Sequence, residues 1–523
     1  MTVRVGSDPR AVRHRARPGA ESAGQLAQRP QVAVVGGGIA GLAAATGLAE
    51  RGVGVTLIER APYLGGRVGG WSESLPDGTQ VAVNRGFHAF FRQYYNLRQL
   101  LARTDPNLDR LTPVEDYPLL DAHGRLDSFR GLPRTPPWSA LRFALRSPTF
   151  TVPDLMRIDA RAAAPLADVS VPEIYHRLDH IDAATFLQRM QFPAAARHLA
   201  FEVFSRSFFA SPGAMSAAEL AAMFHIYFLG SAEGLLFDVP TANYDTALWN
   251  PLGRYLSDLG VDICLDTTVT AVETGGPRTF RLHHRDDAVL DVDAVVLALD
   301  TAGLRTLVEA SPDLGDEQWR TQIARLRTAP PFLVHRLWLD RPVAAHRAPF
   351  LGTGGLAPLD NISVPDRYEH EAATWARRND GAVVELHAYA LPEDIPSHDT
   401  HLRPAELTAQ LVQRLHEVYP ETATARIVAE HTQRRSDCPL FGVGDFAHRP
   451  PVHTPHPRLM LAGDLVRIDL PVALMERAAT TGLHAANCLL ATWELVGHDL
   501  YTVPTRGRNT VLRWLAATGN RQT

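Results

Sequence analysis

The sequence has no lysine; all 52 of its Lys/Arg residues are arginine. Cysteine is almost as scarce. Cys264, Cys438 and Cys488 lie far apart, with no CxxC pair and no Cys/His ligand spacing, so neither a disulfide framework nor a metal site is expected. Each reads as a small buried apolar residue, and a reducing, cytoplasmic setting follows. No apolar run reaches the length of a membrane-spanning helix, and the N-terminus lacks the apolar core of a signal peptide. An excess of one charge is missing too. A net charge of −5 gives no concentrated basic face, so nucleic acid is not an expected partner.

What is present is an ordinary globular composition, 45% apolar and 21% charged, spread over 523 residues. That length is too great for one compact core and fits two interleaved domains. Residues 1–30 carry six arginines against one Asp and one Glu. They cannot bury enough apolar surface to fold, so a disordered basic arm is expected, with contact to anionic lipid as the alternative.

Order begins at Gln31. The run Gln-Val-Ala-Val-Val (31–35) is nearly continuous, apolar and β-branched, as a buried parallel strand requires. Gly36-Gly37-Gly38-Ile39-Ala40-Gly41 comes next, then a helix-forming stretch to Arg51 that Gly52 can end. Residues 53–59 read as a second strand. This βαβ unit carries G-x-G-x-x-G. Gly36 permits the tight turn, Gly38 lets backbone approach a pyrophosphate, and Gly41 lets the helix pack on the strand. The helix N-terminus, entered through Ile39 and Ala40, offers unpaired N–H groups to phosphates. Glu59, with Arg60 beside it, stands where a carboxylate would accept hydrogen bonds from a ribose. The glycines alone would be weak evidence for a dinucleotide. The strand before them, the helix after them and the acid at the right distance make the signal specific.

Tyr63-Leu64-Gly65-Gly66-Arg67 lies shortly after the ribose acid. With Glu59 it resembles the glycine-arginine extension of the amine oxidase and carotenoid desaturase flavoproteins. That resemblance implies non-covalent FAD, with Gly65, Gly66 and Arg67 lining flavin and pyrophosphate. Near the other end, Leu461-Ala462-Gly463-Asp464 and the stretch Met475 to Gly482 resemble the second FAD segment of the same superfamily. There Gly463 and Asp464 would reach the ribityl or pyrophosphate region. Met475 and Ala479 would lie against the cofactor at a helix N-terminus whose dipole stabilises negative charge on the ring.

The segment Arg85-Gly86-Phe87-His88-Ala89-Phe90-Phe91-Arg92-Gln93-Tyr94-Tyr95-Asn96 is the most distinctive in the chain. It resembles the plant- and cyanobacterial-type carotene desaturases, and is closest in wording to the actinobacterial isorenieratene synthases (β-carotene desaturase/methyltransferases). Ser231 to Pro240, Trp249 to Leu252 and Asp464 to Arg467 agree with that group. The resemblance implies an oxidoreductase that turns β-ionone end rings aromatic by two hydride abstractions and an intramolecular methyl shift. It also implies a C40 apolar substrate, whose insolubility favours a site peripheral to the inner face of the cell membrane; the electron acceptor stays open between a membrane quinone and oxygen. His88 and Glu476 are candidate proton acceptors by motif position. Phe204, Phe208, Phe209, Met215, Met223, Phe224, Tyr227 and Phe228 form an aromatic, Met-rich stretch that reads either as the wall of an apolar tunnel or as plain helix core. Three other readings stay open: a linear carotene desaturase or isomerase, a flavin amine oxidase, and a non-catalytic carotenoid-binding flavoprotein. An amine oxidase site typically has a lysine near the flavin, which this chain cannot supply.

The expected fold is α/β. A Rossmann-type FAD-binding domain draws on residues 31–100, 251–305 and 428–496. An interleaved α+β substrate domain draws on 101–250 and 306–427, and a tail covers 497–523.

Overall fold

Five short strands from three distant stretches of the chain meet in one parallel sheet. The computed structural model describes residues 8–75, 77–136, 138–149, 152–193, 196, 208–275, 278–284, 288–392, 404–507 and 513. In it β1 (Gln31–Val35), β2 (Gly54–Ile58), β3 (Asp262–Cys264), β4 (Ala294–Leu297) and β7 (Leu459–Leu461) lie in the order β3-β2-β1-β4-β7. The register sets Val35 beside Ile58 and Leu297, Ile58 beside Cys264, and Leu297 beside Leu461. All five carboxyl ends are therefore level, and the turns leaving them face one crevice, where open α/β sheets bind ligands. Val32 to Val35 and Ala294 to Leu297 are buried throughout, as strands covered on both faces require.

Two helices of small residues lie side by side against this sheet. Every residue of α1 (Ile39–Ala49) is buried, so this helix has no polar face. It packs along α4 (Leu474–Thr492). A Cβ on Gly482 would fall 2.2 Å from the Ala40 carbonyl oxygen, and one on Gly47 would fall 2.9 Å from Ala486 Cβ. Only glycine permits that approach, which brings the front and back halves of the nucleotide region together.

The second layer is a seven-stranded sheet. Its order runs Ile427–Arg435, β5 (Phe332–Leu339), β6 (Ala382–Ala388), Asn361–Ser363, Phe350–Gly354, Leu119–Asp121, Leu126–Asp127. Strands β5 and β6 are buried along their whole length. Ile427–Arg435 pairs with β5, so residues 428–435 belong to this sheet and not to the nucleotide-binding part as expected. The little strand signal in 101–250 also hid Leu111–Pro113, Leu119–Asp121, Leu126–Asp127 and Phe237–Pro240.

The expected disordered arm is a second correction. Val12–His14 pairs antiparallel with Leu500–Thr502, which also orders part of the expected tail. The Asp8 carboxylate is buried and accepts from Tyr95 Oη at 2.7 Å, Ser231 Oγ at 2.6 Å and the Ala232 N–H at 3.0 Å. Backbone pairing and one buried carboxylate hold this segment, together with Ala23 in the core and Ala11, Ala20 and Leu26 packed against it. Among the described residues no helix is long and apolar enough to cross a membrane.

Candidate functional site

The level carboxyl ends of β1 and β2 open into a cavity of about 710 Å³. One part of its wall is Gly36, Gly38, Ile39, Ala40, Glu59, Arg60, Gly65, Gly66, Arg67, Gly463, Asp464 and Met475. Residues from opposite ends of the sequence thus share one surface. Gly41 and Ala479 were expected here and do not line it. A Cβ on Gly41 would sit 1.8 Å from the Gly36 carbonyl oxygen, so Gly41 serves helix-to-strand contact. Ala479 is fully buried beneath the wall, and Ala478 takes its place there.

This part of the wall fits a dinucleotide on its own chemistry. Gly38 is the N-cap of α1 and provides no side-chain cap, so the first helical N–H groups have no capping side chain to answer them and suit an anion. A Cβ on Gly38 would meet nothing closer than Gly66 Cα at 4.0 Å; the room it leaves is cradle. Glu59 is fixed by accepting from the Gly37 N–H at 2.6 Å and the Ala61 N–H at 2.8 Å, and a carboxylate retains acceptor sites for ribose hydroxyls. Arg60 pairs with Asp300 at 2.6 Å. Arg67 from the front motif pairs directly with Asp464 from the back one. Trp249, fully buried, donates from Nε1 to the Val68 carbonyl at 2.6 Å and lies so close over Gly65 that a Cβ there would fall 2.2 Å from Nε1. Thr481 Oγ1 accepts from the Gly463 N–H at 2.9 Å and ties that turn to α4.

The rest of the wall is rich in aromatic side chains. Phe87, Phe91, Tyr117, Phe208, Phe209, Phe237, Phe332 and Phe350 all line the cavity, in contacts such as Phe87–Phe350 at 4.4 Å and Phe209–Phe332 at 4.6 Å between centroids. Of the expected tunnel residues only Phe208 and Phe209 are among them. Phe204 lies outside the described residues. Met215, Met223, Tyr227 and Phe228 are buried in the core and Phe224 packs against it. The lining comes instead from strand and loop aromatics that had no common periodicity.

A polar relay stands among these side chains. Glu385, His387 and Tyr389 alternate along and just beyond β6, so they share one face of the strand. His387 Nε2–H donates to Glu385 Oε1 at 2.9 Å, and Tyr389 Oη donates to His387 Nδ1 at 2.9 Å. Asn361 Nδ2 donates to Tyr389 Oη at 3.0 Å. His387, Tyr389 and Asn361 line the cavity, while Glu385 lies behind them. The carboxylate fixes the tautomer of the imidazole and leaves Nδ1 as the acceptor. Burial works against the Glu385 carboxylate, but the His387 hydrogen bond and the Arg336 charge outweigh it and hold its pKa below the ordinary value. Sequence reasoning missed this group. The signal was there, as polar residues at every second position of an otherwise apolar strand.

His88 does line the cavity. Burial drives its imidazole down to about 4, and Nδ1–H is held by the Gly86 carbonyl at 2.9 Å, so it is a neutral group and a weak base. Glu476 does not line the cavity. It accepts from the N–H groups of Asn96 and Leu97 at 2.8 and 2.9 Å and from Asn96 Nδ2 at 2.7 Å, at the start of α2 (Tyr95–Leu101). Burial pushes its carboxyl up to about 8. It is a buried helix cap. Glu476→Gln would set an amide N–H against a backbone N–H and is expected to cost about 1–3 kcal/mol of stability. Bound flavin and turnover per flavin should stay unchanged, checked by thermal melts alongside flavin absorbance and turnover.

A parallel nucleotide-binding sheet, a glycine turn at a helix N-terminus and a second helix brought in from the far end define a flavoprotein oxidoreductase. The comparisons agree. Residues 39–490 match the family model described as flavin containing amine oxidoreductase, and the chain belongs to that family. The carotenoid phi-ring synthase of Streptomyces griseus is 59% identical over 490 residues, covering 93% of each chain. The carotenoid phi-ring synthase of Chlorobaculum tepidum is 29% identical, covering 93% of this chain and 92% of that one. Among solved structures, a redesigned putrescine oxidase superposes with a TM-score of 0.64 at 15% identity, over 88% of this chain and 99% of that one; this likeness is one of fold. The chain is an FAD-dependent oxidoreductase of the carotenoid desaturase branch.

Proposed function

We propose that this chain converts the β-ionone end rings of β-carotene into aromatic rings. The phi-ring synthases support the reading, because their name sets the product at a ring. One observation carries it: the Glu385–His387–Tyr389 relay opens into a cavity whose walls are rich in aromatic side chains. Bound FAD supplies the acceptor for electron pairs removed from ring C–H bonds. Everything else falls to the chain. The aromatic walls exclude water from the ring cation left behind, and the conjugated polyene spreads its charge. The cation becomes neutral by losing a proton from the neighbouring ring carbon, whose C–H pair forms the new C=C bond. Tyr389 Oη takes that proton while its own passes to His387 Nδ1, and Glu385 offsets the imidazolium charge. Each ring loses two hydrides and two protons. The methyl group moves within the ring, so no methyl donor is required.

The substrate is insoluble in water, and the surface offers a place to meet a membrane. On α3 (Trp138–Arg146), Trp138, Leu141 and Leu145 are 60%, 47% and 63% exposed, and Met156, further along the chain, is 81% exposed. Arg142 and Arg146 flank them, as in helices that lie in an anionic lipid interface. The buried side of the same helix presents Phe143. It stacks on Phe129 at 4.6 Å, which stacks on the cavity-lining Tyr117 at 4.3 Å. The apolar face is thus two ring contacts from the cavity wall. A membrane quinone suits such a location as electron acceptor. Changing Trp138 and Leu145 together to Glu should release the protein from anionic vesicles in a flotation assay without loss of bound flavin; undiminished flotation would reject this face.

Product analysis tests the reaction class. Expression in a β-carotene-accumulating host should yield carotenoids with aromatic end groups. Conversion of lycopene alone, in a parallel host, would replace this reading with that of a linear carotene desaturase.

A further inference from the structure

Away from the cavity, three side chains converge that the flavin chemistry does not use. Contrary to the expectation of no Cys/His ligand spacing, His484 and Cys488 stand four residues apart on α4 and so share a helix face. His453 reaches them from a turn just before β7. That turn is closed by the Leu461 N–H on the Val452 carbonyl at 2.9 Å and by Thr454 Oγ1 on the Leu459 carbonyl at 2.8 Å, and His453 itself bridges to Met460. Cys488 Sγ lies 3.4 Å from His453 Nε2 and 3.8 Å from His484 Nε2. One donor atom from each residue falls within 4.8 Å of the others. None of the three lines the cavity.

The spacing suits a metal ion. A tetrahedral zinc with Zn–S of about 2.3 Å and Zn–N of about 2.0 Å has sulfur–nitrogen edges of about 3.5 Å, between the two separations seen here. The donor set is also right, since one thiolate and two imidazoles are the ligand types that borderline-soft zinc prefers. The ligands come from two rigid elements, a helix face and a closed turn, so little order must be gained on binding.

We infer that His453, His484 and Cys488 bind one zinc ion, with water in the fourth position. Cys488 binds as the thiolate: its S–H proton leaves to solvent as the Zn–S bond forms, and no electron changes hands. The ion ties the turn that leads into β7, and hence to Gly463 and Asp464, onto the helix whose first turn holds Met475 and Ala478 against the cavity. It is a clasp between the two segments that build the back half of the flavin site, and it is independent of which carotenoid the protein acts on.

The test uses the full-length flavin-loaded protein, purified without a metal-affinity tag, stripped with chelator and titrated with cobalt(II). One cobalt per chain should bind, with a sulfur-to-cobalt charge-transfer band and the strong visible bands of a tetrahedral site. Zinc should abolish the spectrum stoichiometrically and raise the thermal midpoint. His453→Ala removes an exposed side chain and Cys488→Ser is nearly isosteric. Each should lose the charge-transfer band and the zinc-dependent stabilisation while keeping bound flavin. Absence of the band from the wild type would overturn the inference. A band that survives in both variants would do the same, because it would assign the metal to Cys264 or Cys438.

Discussion

Tyr389→Phe is expected to lower turnover of β-carotene by about 100-fold or more, the scale on which a positioned proton acceptor acts. The change removes one oxygen and nothing else. The ring can keep its edge contact with Phe209, at 4.9 Å between centroids, so cavity shape and substrate affinity should hold, and kcat should fall while KM stays near its wild-type value. What is lost is the atom that passes a proton to His387 Nδ1. Loss of the ring proton then limits the reaction. β-Carotene deuterated at the carbon that loses the proton should show a larger isotope effect with the variant than with the wild type. A side chain that only fills space would leave that effect alone. Glu385 is a positioning residue, because it reaches the substrate only through His387. Glu385→Gln should give a smaller loss of the same kind, with the isotope effect raised. Unchanged turnover by Tyr389→Phe at full flavin occupancy would remove the relay from the reaction.

The second large effect concerns the cofactor. Gly38→Val should give a folded protein that purifies colourless. The backbone at Gly38 has an ordinary φ of −75°, and a Cβ meets no protein atom within 4 Å except Gly66 Cα at that limit. A β-carbon there therefore meets nothing in the fold that would exclude it. The added methyls instead fill the space over the first N–H groups of α1, where a pyrophosphate must approach. Gly41→Val is the contrast. Its Cβ would fall 1.8 Å from the Gly36 carbonyl oxygen, and the chain should not fold at all. Far-ultraviolet circular dichroism with flavin absorbance separates the two outcomes, and retention of stoichiometric FAD by Gly38→Val would show that the cofactor does not lie on this turn.

That the glycine turn, the acid and the C-terminal segment share one wall was legible because a dinucleotide fold requires particular residues at fixed offsets. Gly36, Gly38 and Glu59 declare themselves through spacing, and Arg67 and Asp464 are found as an ion pair that neither motif announces alone. Helical phase set the limit at the back. Met475 and Ala478 are three apart and face the cavity, whereas Glu476 is turned roughly 100° from Met475 and points at α2 instead. Motif position could not tell these apart. The relay escaped notice because its alternation within β6 amounts to Glu385 and His387 alone, with Tyr389 just past the strand, and Asn361 joins it only when the strand Asn361–Ser363 pairs with β6. The N-terminal arm was misjudged for a related reason. Composition counts apolar burial, while this segment is held by strand pairing with residues 500–502 and by Asp8 buried against Tyr95 and Ser231.

The most direct measurement is a single turnover under anaerobic conditions. Purified, flavin-loaded protein is mixed with β-carotene in vesicles, and the flavin absorbance and the extracted carotenoid are monitored together. The absorbance should fall as substrate is consumed, and a ring met by one bound FAD should be lighter by two hydrogens, one hydride and one proton; readmitting an electron acceptor should bring the loss to four per ring, with all its methyl groups retained and one of them moved. A flavin that keeps its colour while β-carotene is recovered unaltered would contradict the account.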